Sequence, residues 1–337
     1  MNKTFTGLFF VAVFMSVPLR AEPQGEKAIR LEGQIEKASE KGSFSVVQGL
    51  RLQLAENLEA MGRYADAARE YELLLASRPP KHERVKYFIQ LGRMRDAAQD
   101  YGAAIGSFQD ALHDEPDSWD ANLALARSYG KIELNSRAVE VYMRCIALRP
   151  KAVEGYQEIA AIYERMGYLN KAINYYQKAI KITPQAESYL GMSDCYVRQD
   201  DIGHATDILQ TAIAALPRAE YDVRLGDIYE KQGDWVKATM SWEEALRMDP
   251  HQDDLRLKLA MVYGKLHRKS DADRLFRQLM NAYPDSPLVH FLRAWMLFDR
   301  GDRQGSRSEA LQVERLAPTE LVRHYNERLL VQLESKP

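Results

Sequence analysis

The side chains of this 337-residue chain with the chemistry for catalysis or metal binding are seven histidines, two cysteines and a scatter of acids. His82, His113, His204, His251, His267, His290 and His324 stand apart from one another. No two meet at a spacing of three or four, which would place two imidazoles on one helix face as metal ligands. No His-Glu-x-x-His, Gly-x-Ser-x-Gly or Gly-x-x-x-x-Gly-Lys-Ser/Thr stretch occurs. The acid pairs Asp200-Asp201 and Asp253-Asp254 read as carboxylates at helix ends, where they answer the helix dipole. The sequence offers no catalytic residue, metal ligand or cofactor motif, so the expectation is a protein that is not an enzyme.

What organises the chain is a period. Pro79, Pro116, Pro150, Pro184, Pro217, Pro250, Pro284 and Pro318 are separated by 37, 34, 34, 33, 33, 34 and 34 residues. A fixed interval of this size marks one supersecondary unit stacked repeatedly. Twelve residues before the prolines stand Ala67, Ala104, Ala138, Ala172, Ala205, Ala238, Ala272 and Ser306; twenty-four before stand Ala55, Gly92, Ala126, Ala160, Ser193, Gly226, Ala260 and Ala294. A small residue on each of two helices lets them cross at the short end of the usual ~8–10 Å separation. Large side chains follow at fixed offsets, among them Tyr129, Tyr163, Tyr196, Tyr229 and Tyr263, then Tyr142, Tyr176 and Trp242. Large against small is how a helical core interdigitates. Proline closes each second helix because it lacks an amide donor and disfavours helix in the residue before it.

These residues resemble the tetratricopeptide repeat, a 34-residue helix–turn–helix unit. Residues 153–185 carry the pattern best, with Tyr156, Ile159, Ala160, Tyr163, Gly167, Ala172, Tyr176, Ala179 and Pro184; residues 219–252 follow with Leu225, Gly226, Tyr229, Gly233, Ala238, Trp242, Ala245 and Pro250. The fold class expected is all-α: a right-handed α-solenoid, or superhelix, of about eight such units with short helical caps. The units are 48–81, 85–118, 119–152, 153–185, 186–218, 219–252, 253–286 and 287–320. Departures are Arg95 in place of an aromatic, three extra residues from His82 to Arg84, and Ser306 with Ala310 in the last unit.

The ends differ from the array. Lys3 and the apolar run Leu8–Val17 suit a secretory signal peptide over residues 1–21, since a membrane span needs ~18 or more apolar residues. The protein is therefore expected to be exported, periplasmic or extracellular, with anchoring by an uncleaved N-terminal signal as the alternative. No transmembrane domain is expected after cleavage. Residues 22–47 form a linker and capping helix with Ala28, Leu31, Ile35 and Ala38 on one face. Residues 321–337 form a second cap with Leu321, Tyr325, Leu329 and Val331 at helical spacing. Solenoids need such caps because their terminal faces otherwise expose core. Cys145 occupies a slot held by Ala111, Ala179 and Ala212 in other units, and Cys195 lies on a first helix two units on. Both read as buried, unpaired thiols. A net charge of −2 and a pI near 6.4 give no footprint for nucleic acid.

The resemblance implies that the first helix of each unit lines an inner groove through its positions 2, 5, 9 and 12. In the three units from 153 to 252 these are Glu154, Gln157, Ala161, Glu164; Glu187, Leu190, Asp194, Val197; and Glu220, Val223, Asp227, Glu230. Seven are acidic and none is basic, a stripe suited to a basic or amide-rich segment of another protein. The competing reading is that Glu154, Glu187 and Glu220 serve their helix N-termini, with Arg165, Arg198 and Lys231 neutralising the rest. The last unit is the second candidate. Its first helix, Leu288 to Phe298, is apolar nearly all round, and puts Phe291, Trp295 and Phe298 at inner positions. Such a helix is normally buried; here the expected cover is the C-terminal helix, the alternative an exposed aromatic patch. The Lys and Asn pair with which some members clamp a chaperone's terminal carboxylate is absent from every unit. The expected function is a non-enzymatic protein-interaction scaffold of the cell envelope. The alternative is a glycan- or peptidoglycan-associated binding subunit of a cell-wall assembly machine.

Overall fold

The computed structural model describes residues 24–316 and 318–334. The expected signal peptide lies outside the described residues. The chain divides into two compact units, one reaching to Leu148 and one starting at Arg149. All regular structure among the described residues is helical. The first unit contains α1 (Gln24–Glu40), α2 (Phe44–Ala60), α3 (Tyr64–Ala76), α4 (Lys81–Ala97), α5 (Tyr101–Asp114), α6 (Trp119–Lys131) and α7 (Asn135–Leu148). The second contains α8 (Glu154–Arg165), α9 (Leu169–Ile182), α10 (Ala186–Arg198), α11 (Ile202–Ala215), α12 (Ala219–Lys231), α13 (Trp235–Met248), α14 (Asp253–Lys265), α15 (Lys269–Ala282), α16 (Pro287–Asp299), α17 (Arg303–Arg315) and α18 (Glu320–Glu334).

Each hairpin closes on its small residues. Ala55, Ala126, Ala160, Ser193, Ala260 and Ala294 on first helices are fully buried, as are Ala67, Ala104, Ala138, Ala172, Ala205, Ala238, Ala272 and Ser306 on second helices. The glycines show how tight the crossing is. A Cβ on Gly226 would stand 2.2 Å from Trp242 Nε1, and one on Gly92 would stand 2.4 Å from the Phe108 ring. Each second helix ends two or three residues before its proline.

The turn within every hairpin puts one residue in the left-handed region. Glycine fills that place at Gly62, Gly167, Gly233 and Gly301; Gln99, Glu133, Asp200 and His267 fill it in the other four. The residue that follows often caps the second helix. Asp100, Asp201, Asp234 and Asp302 accept from the amides of Ala103, His204, Lys237 and Gly305, satisfying amides that the helix itself leaves unpaired. Asp200-Asp201 thus splits its duties between a strained turn residue and an N-cap.

The departures from the repeat have physical explanations. Helix α2 starts at Phe44, ahead of the expected 48. His82 to Arg84 become the opening turn of α4, where Arg84 grips Asp114 at 2.5 and 2.6 Å. Arg95 replaces an aromatic that reaches back to the preceding second helix. It keeps that reach by bonding Glu72 at 2.7 Å while also donating to Ser107 Oγ at 2.7 Å.

At the N-terminus, Ala28, Leu31, Ile35 and Ala38 are the buried face of α1, and the first three pack with Leu54, Ala55 and Leu58. Of the face expected on the C-terminal helix, Leu329 is buried and the other three residues are not. Leu321, Tyr325 and Val331 are exposed, whereas Asn326, Leu329 and Leu333 are buried. The buried amide of Asn326 is tolerated because it donates to the Ala310 carbonyl at 3.0 Å and to Glu314 at 2.7 Å.

Candidate functional site: the first-helix face of the second unit

In the second unit, α8, α10, α12, α14 and α16 are the first helices of their hairpins. The expected acids lie on them, and most are already engaged. Glu164 Oε2 accepts from the Tyr176 hydroxyl at 2.8 Å, and Arg198 Nη1 stands 3.7 Å from Oε1. Arg224 donates to Asp194 at 3.0 Å. Lys258 Nζ bridges Asp227 at 2.6 Å and Glu230 at 2.7 Å. In each case the cation comes from the next hairpin along, so the stripe doubles as a set of struts between neighbouring repeats. Gln157 is used in the same way, donating to Gln185 at 2.8 Å and to Ser188 at 2.9 Å.

Of the cations expected to neutralise the stripe, Arg198 does so; Arg224 and Lys258 were missed. Their signal was in the register. Asp194 and Arg224 are 30 residues apart, and Asp227 and Lys258 are 31 apart. That spacing joins the ninth position of one repeat to the sixth of the next. Where the ninth position is Ala161, the residue 30 further on is Gly191, and neither is charged.

Burial pushes the Asp194 carboxyl above the usual carboxylate range, with Arg224 pulling the other way. Burial lowers Lys258, yet its bonds to Asp227 and Glu230 outweigh that and raise it above an ordinary lysine. The Lys258 ammonium also sits 4.5 Å from the Trp242 ring centroid, a cation–π contact that keeps it on this face.

Glu187 and Glu220 remain exposed, Glu220 with Arg218 no nearer than 4.0 Å, and Glu154 is half-buried. Leu190 and Val223 are half-buried between the acids and pack on the underlying cores. A groove of about 520 Å³ opens beside Val223, Asp227, Asp254, Lys258 and Tyr283. It is polar and carries no concentration of metal ligands; no cluster of three or more His, Cys, Asp or Glu able to hold an ion occurs among the described residues.

At the far end of the face the aromatics divide. Phe291 and Phe298 pack with Ala294, Ala310, Leu329 and Leu333, so α18 covers them in part. Trp295 lies between them, its ring 6.5 Å from Phe291 and 6.3 Å from Phe298. It stays 41% exposed, as Leu288 does at 47%. The expected cover is real but incomplete, because α18 buries Leu329 and Leu333 on one side of α16 only.

Models of the tetratricopeptide repeat match residues 82–142, 153–185 and 229–296. This is a tetratricopeptide repeat protein. The matched segments contain four of the eight periodic prolines, Pro116, Pro184, Pro250 and Pro284, and five of the eight left-handed turns, at Gln99, Glu133, Gly167, Gly233 and His267. A curated relative, the human protein O-mannosyl-transferase TMTC3, is 23% identical over 289 residues, covering 79% of this chain. The chain spans only 28% of the length of TMTC3, and the transfer reaction in that name belongs to that protein.

Solved structures similar to this repeat protein include a tetratricopeptide repeat protein from Parabacteroides merdae, at 13% identity and TM-score 0.47, covering 75% of this chain and all of that one. PilW, described as a type IV pilus biogenesis factor, is 22% identical with TM-score 0.46, over 60% of this chain and 94% of its own. MamA from Desulfovibrio magneticus is 19% identical with TM-score 0.41, over 57% and 96%. The fold is an all-α tetratricopeptide solenoid, and repeats of this kind support a protein-interaction scaffold. Among the described residues no helix is long and apolar enough to cross a membrane.

Proposed function

We propose that the protein is a non-enzymatic scaffold of the cell envelope that holds a cationic segment of another protein on the first-helix face of its second unit. The observation that carries this is the charge balance of that face. Seven acids line α8, α10 and α12, while four cations pair with them: Arg198, Arg224, Lys258 and, at 4.0 Å and largely exposed, Arg218. The excess of negative charge sits chiefly at Glu154, Glu187 and Glu220, each near the start of its helix and so spaced one repeat apart. A rigid row of this kind attracts Lys and Arg side chains spread along an extended chain, and the receptor needs no ordering on binding. Export, inferred from the cationic start and apolar run of the first 21 residues, places the partner in the envelope or beyond.

The test uses the exposed acids, because replacing Asp194 or Asp227 also breaks a strut. Glu187→Lys with Glu220→Lys is expected to weaken binding of a fluorescein-labelled Lys-rich peptide at least tenfold at low salt, with an unchanged melting temperature. Unchanged affinity in the double variant overturns the reading. Fractionation of cells making the tagged full-length chain tests export independently; a cytosolic product refutes it.

A further inference from the structure

The acidic face does not run uniformly to the end of the second unit; it becomes apolar. In α14 the inner positions after Asp254 are Leu257, Met261 and Gly264, and in α16 they are Leu288, Phe291, Trp295 and Phe298. Leu257 and Met261 are half-buried over the core that contains Val289 and Met296. Both helices thus carry apolar side chains at their inner positions, with Trp295 and Leu288 the most exposed large ones among them. A solvent-facing tryptophan flanked by two phenylalanines, beside a charged groove, has the make-up of an anchor site at an interface centre.

We infer that the partner segment is two-part: a cationic stretch lying along α10 and α12, and a large apolar side chain seated against Trp295. This rests on the function proposed above and names the partner's chemistry more closely. Charge complementarity fixes one end, through the acids left over beside Arg224 and Lys258. The change from Asp227 to Met261 to Trp295, at the same position in three successive repeats, fixes the other.

Geometry also sets the spacing. Packed helices lie about 8–10 Å apart, so α12 and α16, two repeats apart, are separated by roughly 16–20 Å. An extended chain advances about 3.3 Å per residue, so the apolar anchor should follow or precede the cationic stretch by about five or six residues.

The experiment uses the full-length protein and four labelled peptides measured by fluorescence anisotropy. One carries three lysines with a leucine six residues away, and a second places the leucine on the opposite side of the lysines. The third has serine for that leucine, and the fourth moves the leucine to two residues from the lysines. At least one of the first two is expected to bind about tenfold more tightly than the serine and short-spaced peptides. Trp295→Ala, and separately Leu288→Ser, should abolish that advantage without changing the affinity of the serine peptide. The unchanged affinity of the serine peptide shows that each variant is folded, even where loss of the Trp295 contacts with Phe291 and Phe298 lowers its melting temperature. Equal binding of leucine and serine peptides, or an advantage that survives Trp295→Ala, overturns the inference while leaving the cationic reading standing. Failure of every peptide to bind overturns both. Sedimentation of the wild type gives a further check: a dimer dissolved by Trp295→Ala would mean that a second copy of this chain occupies the patch, which also refutes the inference.

Discussion

Lys258 of α14 holds Asp227 and Glu230 of α12 together, at 2.6 and 2.7 Å, across the boundary between two repeats. One ammonium thus ties down two of the acids on the face proposed to bind a partner. Its side chain is about a third exposed, as are both carboxylates. A double-mutant cycle of Asp227→Ala and Lys258→Ala in urea should give a coupling of about 0.5–1 kcal/mol, the range for partly exposed pairs. It should shrink as salt is added. A coupling indistinguishable from zero at low salt would show that the strut contributes nothing to the repeat junction.

The left-handed turn position makes a second prediction. Glu133 and His267 adopt φ of 60° and 57°, a conformation that disfavours a Cβ and suits glycine. Glu133→Gly and His267→Gly should each stabilise the protein by about 0.5–1 kcal/mol, less the entropy that glycine gains in the unfolded chain. Because they lie in different units, their effects should add. Gly167→Ala should destabilise by a similar amount. Chemical denaturation reads all three, and a destabilising Glu133→Gly would refute the strain argument.

The thiols should be silent in the native protein. Cys145 and Cys195 are buried and unpaired. Burial pushes the first up to about 11 and the second to about 12. The thiolate is the reactive form, so at pH 8 a colorimetric thiol reagent should find no rapidly reacting group until denaturant is added, and then two. Fast labelling of either cysteine in the folded chain would contradict the packing described.

Asp222 gives a pH dependence with a definite sign. It is buried near the start of α12, and burial, with Glu244 beside it, raises its carboxyl above the usual range against a smaller pull from Arg247. The folded chain therefore holds this proton more tightly than the unfolded chain. Ionised Asp222 costs stability above the carboxylate range, and that cost disappears as pH falls through it. Asp222→Asn should melt higher than the wild type at pH 7, with the gap closing towards pH ~3.5, below the ordinary aspartate value. A gap that is constant across this range would rule out the carboxylate as its source.

The repeat was legible at every level that depends on local sequence. Proline at Pro184 or Pro250 cannot continue the helix that precedes it, and Ala160 opposite Ala172 permits a close crossing whatever surrounds them. The face of α1 was readable for the same reason: Ala28, Leu31, Ile35 and Ala38 are the only apolar line along it that a neighbour can cover. The face of α18 was readable only in part: Leu329 is buried as expected, but Leu321 and Tyr325, which lie one and two turns before it on the same line, stay exposed, and Leu333 is buried instead. Nothing local says that Asn326 will find two acceptors and carry its side of the helix inward.

The candidate site divides along the same line. That the acids of α8, α10 and α12 recur once per repeat, and that Trp295 shares their register, follows from the period alone. Which acids stay exposed depends on Arg198, Arg224 and Lys258, residues 28 to 34 positions away whose reach is set by how one hairpin leans on the next. Periodicity specifies the faces of a helix because 3.6 residues make a turn in any context. Charge compensation and cover depend on distances between chain segments, and those exist only once the helices have packed.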